Sequence, residues 1–127
     1  VGYALGSEEL IGIMRKCSAS WNLNVCAQKV AVAGLADQEY YQEQKAKIVE
    51  GREYLEKEMA ALGCRVYPSQ SNFIYFDTGK DPAWIQEQLM EKGIRIGAFE
   101  MSRVSVGTME ECKLYIKALK EILEAAE

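Results

Sequence analysis

Histidine is absent from this sequence. A His-containing zinc site, a Ser-His-Asp triad and a Cys-His pair all require an imidazole, so each is excluded. Long apolar runs are missing as well. Nothing approaches the roughly 20 residues that span a bilayer, and the N-terminus lacks the basic and apolar regions of a cleavable signal, so a membrane partner is not expected. Cys17, Cys26, Cys64 and Cys112 form no Cys-x-x-Cys pair. Their apolar neighbourhoods predict reduced, buried thiols in a soluble, cytoplasmic domain. Basic residues form no stripe, since 15 Lys and Arg are scattered among 19 Asp and Glu for a net charge of −4. Nucleic acid is therefore an unsuitable partner.

What is present is globular: 127 residues, 49% hydrophobic and 27% charged, enough for one core without a metal or disulfide staple. Val1-Gly-Tyr-Ala-Leu-Gly6 reads as a strand followed by a turn, with nothing before it to pair with, as at a cut inside a larger protein. Ser7 caps a helix carrying the stripe Leu10, Ile13, Met14 and Cys17. Asn24 caps a second helix of small and β-branched residues. Asp37 opens a long third helix with Tyr41, Ile48, Leu55, Met59 and Leu62 on one face, and Gly63 ends it.

The period then shifts to two. Arg65–Tyr67, Asn72–Asp77, Ile94–Ile96 and Ser102–Gly107 are the predicted strands. A helix with Pro82 at its first position separates the middle two, and a capping box at Thr108 and Glu111 starts the last helix. The pattern predicts an α+β layer: a small, mostly antiparallel sheet covered on one face by helices.

Arg103 is the most informative residue. In its strand Val104 and Val106 share one face, leaving Arg103, Ser105 and Gly107 on the other, where a planar guanidinium can meet a carboxylate. A solvated arginine on an open sheet face fits the same pattern. Asn22 and Asn24 precede a helix N-terminus and could offer amides to a polar ligand, or serve only as a helix entry. Ser69-Gln70-Ser71-Asn72 reads as a polar loop, and Arg95 alternates with Ile94 and Ile96.

Five segments occur in a familiar order: Val1-Gly-Tyr-Ala-Leu-Gly6, Asn22-Leu-Asn24, Ser71-Asn-Phe-Ile74, Lys92-Gly-Ile-Arg-Ile96 and Ser102-Arg-Val-Ser-Val-Gly-Thr-Met-Glu-Glu111. Together they resemble the C-terminal part of histidinol-phosphate aminotransferase-like enzymes, within the class I and II aminotransferases of the fold-type I pyridoxal-phosphate group. The resemblance covers essentially the whole chain. It implies the small domain, residues 1–127, of a homodimeric enzyme that moves an amino group between an amino acid, or histidinol phosphate, and a 2-oxo acid. Residues 1–36 would belong to the edge of a large N-terminal domain outside this sequence.

Pyridoxal 5′-phosphate would be the cofactor of the full-length enzyme. Its Schiff-base lysine and its phosphate-binding arginine would precede Val1, leaving this chain with no catalytic or cofactor-binding residue and no activity of its own. Arg103 matches the family's carboxylate-binding arginine. A further arginine four residues beyond the Lys-Gly-Ile glycine, expected for a substrate phosphate, is Gly97 here, with Arg95 two residues earlier; Asn22 and Asn24 stay candidates for substrate binding in general. The alternatives are a non-catalytic α+β domain that binds a small acid through the Arg103 face, and a structural module that packs on a partner through its helices.

Overall fold

The computed structural model describes residues 1–126, which form five helices and four strands: α1 (Glu8–Cys17), α2 (Val25–Ala36), α3 (Gln38–Ala61), β1 (Arg65–Tyr67), β2 (Phe73–Asp77), α4 (Pro82–Glu91), β3 (Gly97–Ala98), β4 (Ser102–Ser105) and α5 (Met109–Ala125). Contacts divide the chain into two compact units, Val1–Gln42 and Glu43–Glu127.

In the N-terminal unit, local chemistry sets the helix starts. Ser7 Oγ accepts from the Leu10 N–H at 3.3 Å, Asn24 Oδ1 from Ala27 at 2.8 Å, and Asp37 Oδ1 from Tyr40 at 3.3 Å. Val1–Gly6 forms no strand, contrary to the sequence reading. A strand exists only where another segment satisfies its N–H and C=O groups, and no ladder includes this one. Leu10, Ile13, Met14 and Cys17 do fall along α1, but neither α1 nor α2 has a buried residue. Cys17 and Cys26 are accordingly exposed, correcting their expected burial, whereas Cys64 and Cys112 are buried.

The C-terminal unit holds the core. Its sheet has the order β1-β2-β4-β3 and is antiparallel throughout. One face of the sheet presents Ile74, Phe76 and Val104 to Leu55 and Met59 of α3, Ile85 and Leu89 of α4, and Tyr115, Leu119 and Ile122 of α5. The sheet is thus covered on one face, as the α+β pattern requires. On α4, Trp84 packs against this core while Met90 remains exposed.

Gly51 explains its own place within α3. A Cβ there would lie 2.8 Å from Val106 Cγ1, so the helix meets the end of β4 more closely than alanine permits. Gly63 and Gly93 follow α3 and α4 at φ 81° and 77°, where an L side chain is strained. β3 lies at Gly97–Ala98 instead of Ile94–Ile96. Ile94–Ile96 runs unpaired up to it, and the Gln86 side chain donates to the Ile96 carbonyl at 2.7 Å, taking over a bond that a ladder would have made. β4 ends at Ser105, although Val106 N–H still donates to the Asn72 carbonyl at 2.8 Å.

Candidate functional site

The uncovered face of the sheet carries the site. Pairing sets Tyr75 and Gly97 on either side of Arg103, and Phe73 opposite Ser105, so all point away from the helices. The Arg103 guanidinium carbon lies 5.2 Å from the centroid of the Phe73 ring and 5.4 Å from that of Phe99. Because β4 sits between β2 and β3, the two rings approach from opposite flanks. Phe73 is itself held edge-on by Tyr75, with centroids 5.7 Å apart. Arg103 Nε is fully buried and has no hydrogen-bond partner.

Beside this arginine lies an open cleft of about 440 Å³, lined by Gln86, Arg95, Ile96, Gly97, Ala98, Phe99, Arg103 and Ser105. Its charged residues are Arg95 and Arg103, and no carboxylate lines it. Neither guanidinium is in an ion pair among the described residues. In a chain with an acidic balance, two uncompensated guanidinium groups in one cleft suit an anion. A smaller cavity of about 200 Å³ shares Arg95 and Ser105 and runs toward Glu111, Cys112 and Tyr115.

The thiols and the phenol that line this cavity or lie behind Tyr115 are unsuited to nucleophilic work. Burial pushes the Cys112 thiol up, and burial with the nearby Asp77 carboxylate pushes Cys64 up to about 11. Tyr115 is raised well above the usual phenol range by burial and by Cys64, and its hydroxyl lies 3.6 Å from Met59 Sδ. Glu111 is committed to the capping box. Its carboxyl is held below the usual range first by the Thr108 N–H and then by the Thr108 hydroxyl. Among the described residues no cluster of three or more His, Cys, Asp and Glu could hold a metal, and no helix is long and apolar enough to cross a membrane.

The structure therefore brings Arg95 and Arg103 to one cleft. Asn24 spends its side-chain oxygen on the α2 cap, and Asn22 is exposed; both belong to the N-terminal unit. The Ser69–Asn72 loop is turn chemistry: Ser69 Oγ donates to the Phe73 carbonyl at 2.7 Å and accepts from Ser71 N–H at 3.0 Å. Arg52, 9% exposed, supports that loop by donating to the Ser71 carbonyl at 3.3 Å. The sequence reading missed Phe73, Phe99 and Gln86 as parts of the site. For Phe73 the signal was its shared parity with Tyr75 on the outward face, but which arginine it faces depends on a register that spacing alone does not set.

The chain matches the model of the aminotransferase class I and II family over residues 1–119 and belongs to that family. It is 32% identical over 129 residues to the histidinol-phosphate aminotransferase of Moorella thermoacetica, covering 97% of this chain and 33% of that protein. The histidinol-phosphate aminotransferase of Sinorhizobium meliloti, solved in complex with pyridoxal-5′-phosphate, superposes with a TM-score of 0.74 at 29% identity, over 91% of this chain and 34% of that one. A decarboxylase from Sulfurospirillum multivorans shares the fold, with a TM-score of 0.73 at 20% identity over 94% of this chain and 38% of that one. The chain thus spans about a third of the length of the relatives it matches. Its five helices and four-stranded antiparallel sheet are consistent with the small domain of a fold-type I enzyme.

Proposed function

We propose that this chain is the C-terminal, substrate-binding part of a pyridoxal-phosphate-dependent aminotransferase, and that Arg103 receives the carboxylate of the amino acid or 2-oxo acid. The observation that carries this reading is the unpaired guanidinium, fixed on a strand between two aromatic rings, at a cleft free of carboxylates. A planar fork on a rigid strand fixes both the position and the rotation of a bound carboxylate, which orients the bonds at the adjoining carbon.

The cleft suits the substrate and does not fit the cofactor. No lysine lines it, so neither a Schiff-base partner nor a cradle for the cofactor ring comes from these residues. Those roles fall to the part of the enzyme outside this chain, which leaves the fragment inactive by itself. The cytoplasmic setting, the homodimer, the large-domain affiliation of residues 1–36 and any part played by Asn22 or Asn24 belong to the same reading. Gly97, where a phosphate-binding arginine was expected, favours an amino acid over histidinol phosphate as donor. Arg95 is the remaining cation of the cleft for a second acidic group.

In the full-length enzyme, Arg103→Lys retains the charge but loses the fork. A lost charge-assisted bond of about 1.5–3 kcal/mol corresponds to a fall of roughly 10- to 100-fold in kcat/KM for carboxylate substrates. Cofactor absorbance should be retained. Unchanged kcat/KM across several donors would remove Arg103 from the site.

A further inference from the structure

We propose that Phe99 is a positioning residue for Arg103: seated on Gly97, it stacks on the guanidinium opposite Phe73, so that a carboxylate can pair only with the guanidinium's terminal edge. This deepens the reading of Arg103 above and rests on it.

Three observations converge. The two rings lie over the guanidinium at 5.2 and 5.4 Å, Phe73 from β2 and Phe99 from the bend that follows β3, within the range in which a cation is held by an aromatic face. A guanidinium can offer a carboxylate either its two terminal nitrogens or one terminal nitrogen together with Nε. Here Nε is fully buried and unpartnered, so the second mode is closed. Phe99 is also 63% exposed, so core packing does not account for where its ring rests.

Gly97 supplies the seat. A Cβ at that position would come within 2.8 Å of Phe99 Cε2 and 3.6 Å of Arg103 Cβ. A side chain at position 97 and this placement of the ring exclude each other. The residue that replaces the expected arginine is thus the one that lets a neutral ring cover Arg103.

The test is made in the full-length holoenzyme, with monocarboxylates from acetate to 3-phenylpropionate as competitive inhibitors, each compared with its primary amide. The ratio of the two inhibition constants reads the pairing with Arg103 and cancels contacts made by the rest of the ligand. Phe99→Leu keeps bulk but removes the π face, and Gly97→Ala displaces the ring while leaving Phe99 intact. Each should lower the carboxylate's advantage by about 3- to 30-fold, with KM for carboxylate substrates rising more than kcat falls. Phe99→Tyr should preserve the advantage.

A purely structural role would shift thermal stability and leave the ratio unmoved, which would overturn the proposal. If Arg103→Lys lowers the ratio while Phe99→Leu and Gly97→Ala do not, the positioning role is wrong and the carboxylate anchor stands. If Arg103→Lys also leaves the ratio unchanged, or the wild-type enzyme shows no preference for any carboxylate over its amide, the anchor itself fails and this proposal with it.

Discussion

Two glycines carry more information than their size implies. Gly51 lies inside α3, where alanine is ordinarily better by about 1 kcal/mol, yet a Cβ there would meet Val106 at 2.8 Å. The Val106 methyl is a short, stiff group on the segment that follows β4, and overpacking of this kind costs about 1–3 kcal/mol. Gly51→Ala should therefore destabilise the C-terminal unit despite its helix propensity, as a lower midpoint in urea unfolding; a gain in stability would show that Val106 yields. Arg95 is the other residue with a testable part. Removing its charge by Arg95→Gln should weaken binding of dicarboxylates in the full-length enzyme several-fold more than that of monocarboxylates, an effect that added salt diminishes. Equal losses for both would place Arg95 outside the ligand's reach. Strand alternation placed Arg103 and Arg95 on an outward face, a pattern that a solvated arginine fits equally, and the family resemblance singled out Arg103. The sequence could not reveal Phe99 as a partner, because that depends on a close approach at Gly97 seen only once β3 and β4 are paired.

At the scale of elements, the caps were the most legible features. Ser7, Asn24, Asp37 and Thr108 all stand where local chemistry placed them, since each cap is satisfied within a few residues and needs no tertiary partner. The strands were less legible: β3 forms beyond the apolar Ile94–Ile96 stretch because its pairing is dictated by β4 and by the Gln86 bond to Ile96. The α5 cap has a pH signature. Glu111 titrates below the ordinary carboxylate range when folded, because of its Thr108 bonds, and within that range when unfolded. Its contribution is therefore present above the unfolded pKa and is lost as pH falls through the folded one. The stability difference between wild type and Glu111→Ala should be largest at neutral pH and fade in acid, while Thr108→Ala should cost about 1 kcal/mol at neutral pH. A difference for Glu111→Ala that ignores pH would assign the effect to packing.

For the molecule as a whole, the N-terminal and C-terminal units differ in kind. The second has a closed core. The first carries apolar residues on helices that bury nothing, with Val30 71% and Leu35 70% exposed. A helix that is apolar around most of its circumference is ordinarily an interior one. The 127-residue chain produced alone should therefore bind a hydrophobic dye and self-associate at micromolar concentration, and Val30→Glu with Leu35→Glu should reduce both. A monodisperse, dye-silent chain in sedimentation would show that these faces find cover within it.

The strand order has a kinetic consequence. β3 and β4 form a local hairpin that brings Phe99 to Arg103 early, whereas Phe73 arrives only when β2 docks across the intervening α4. The anchor is thus built from a near half and a distant half. Exchange of the Val106 backbone amide, which donates to the Asn72 carbonyl ahead of β2, with deuterated solvent should report the moment at which that docking is complete.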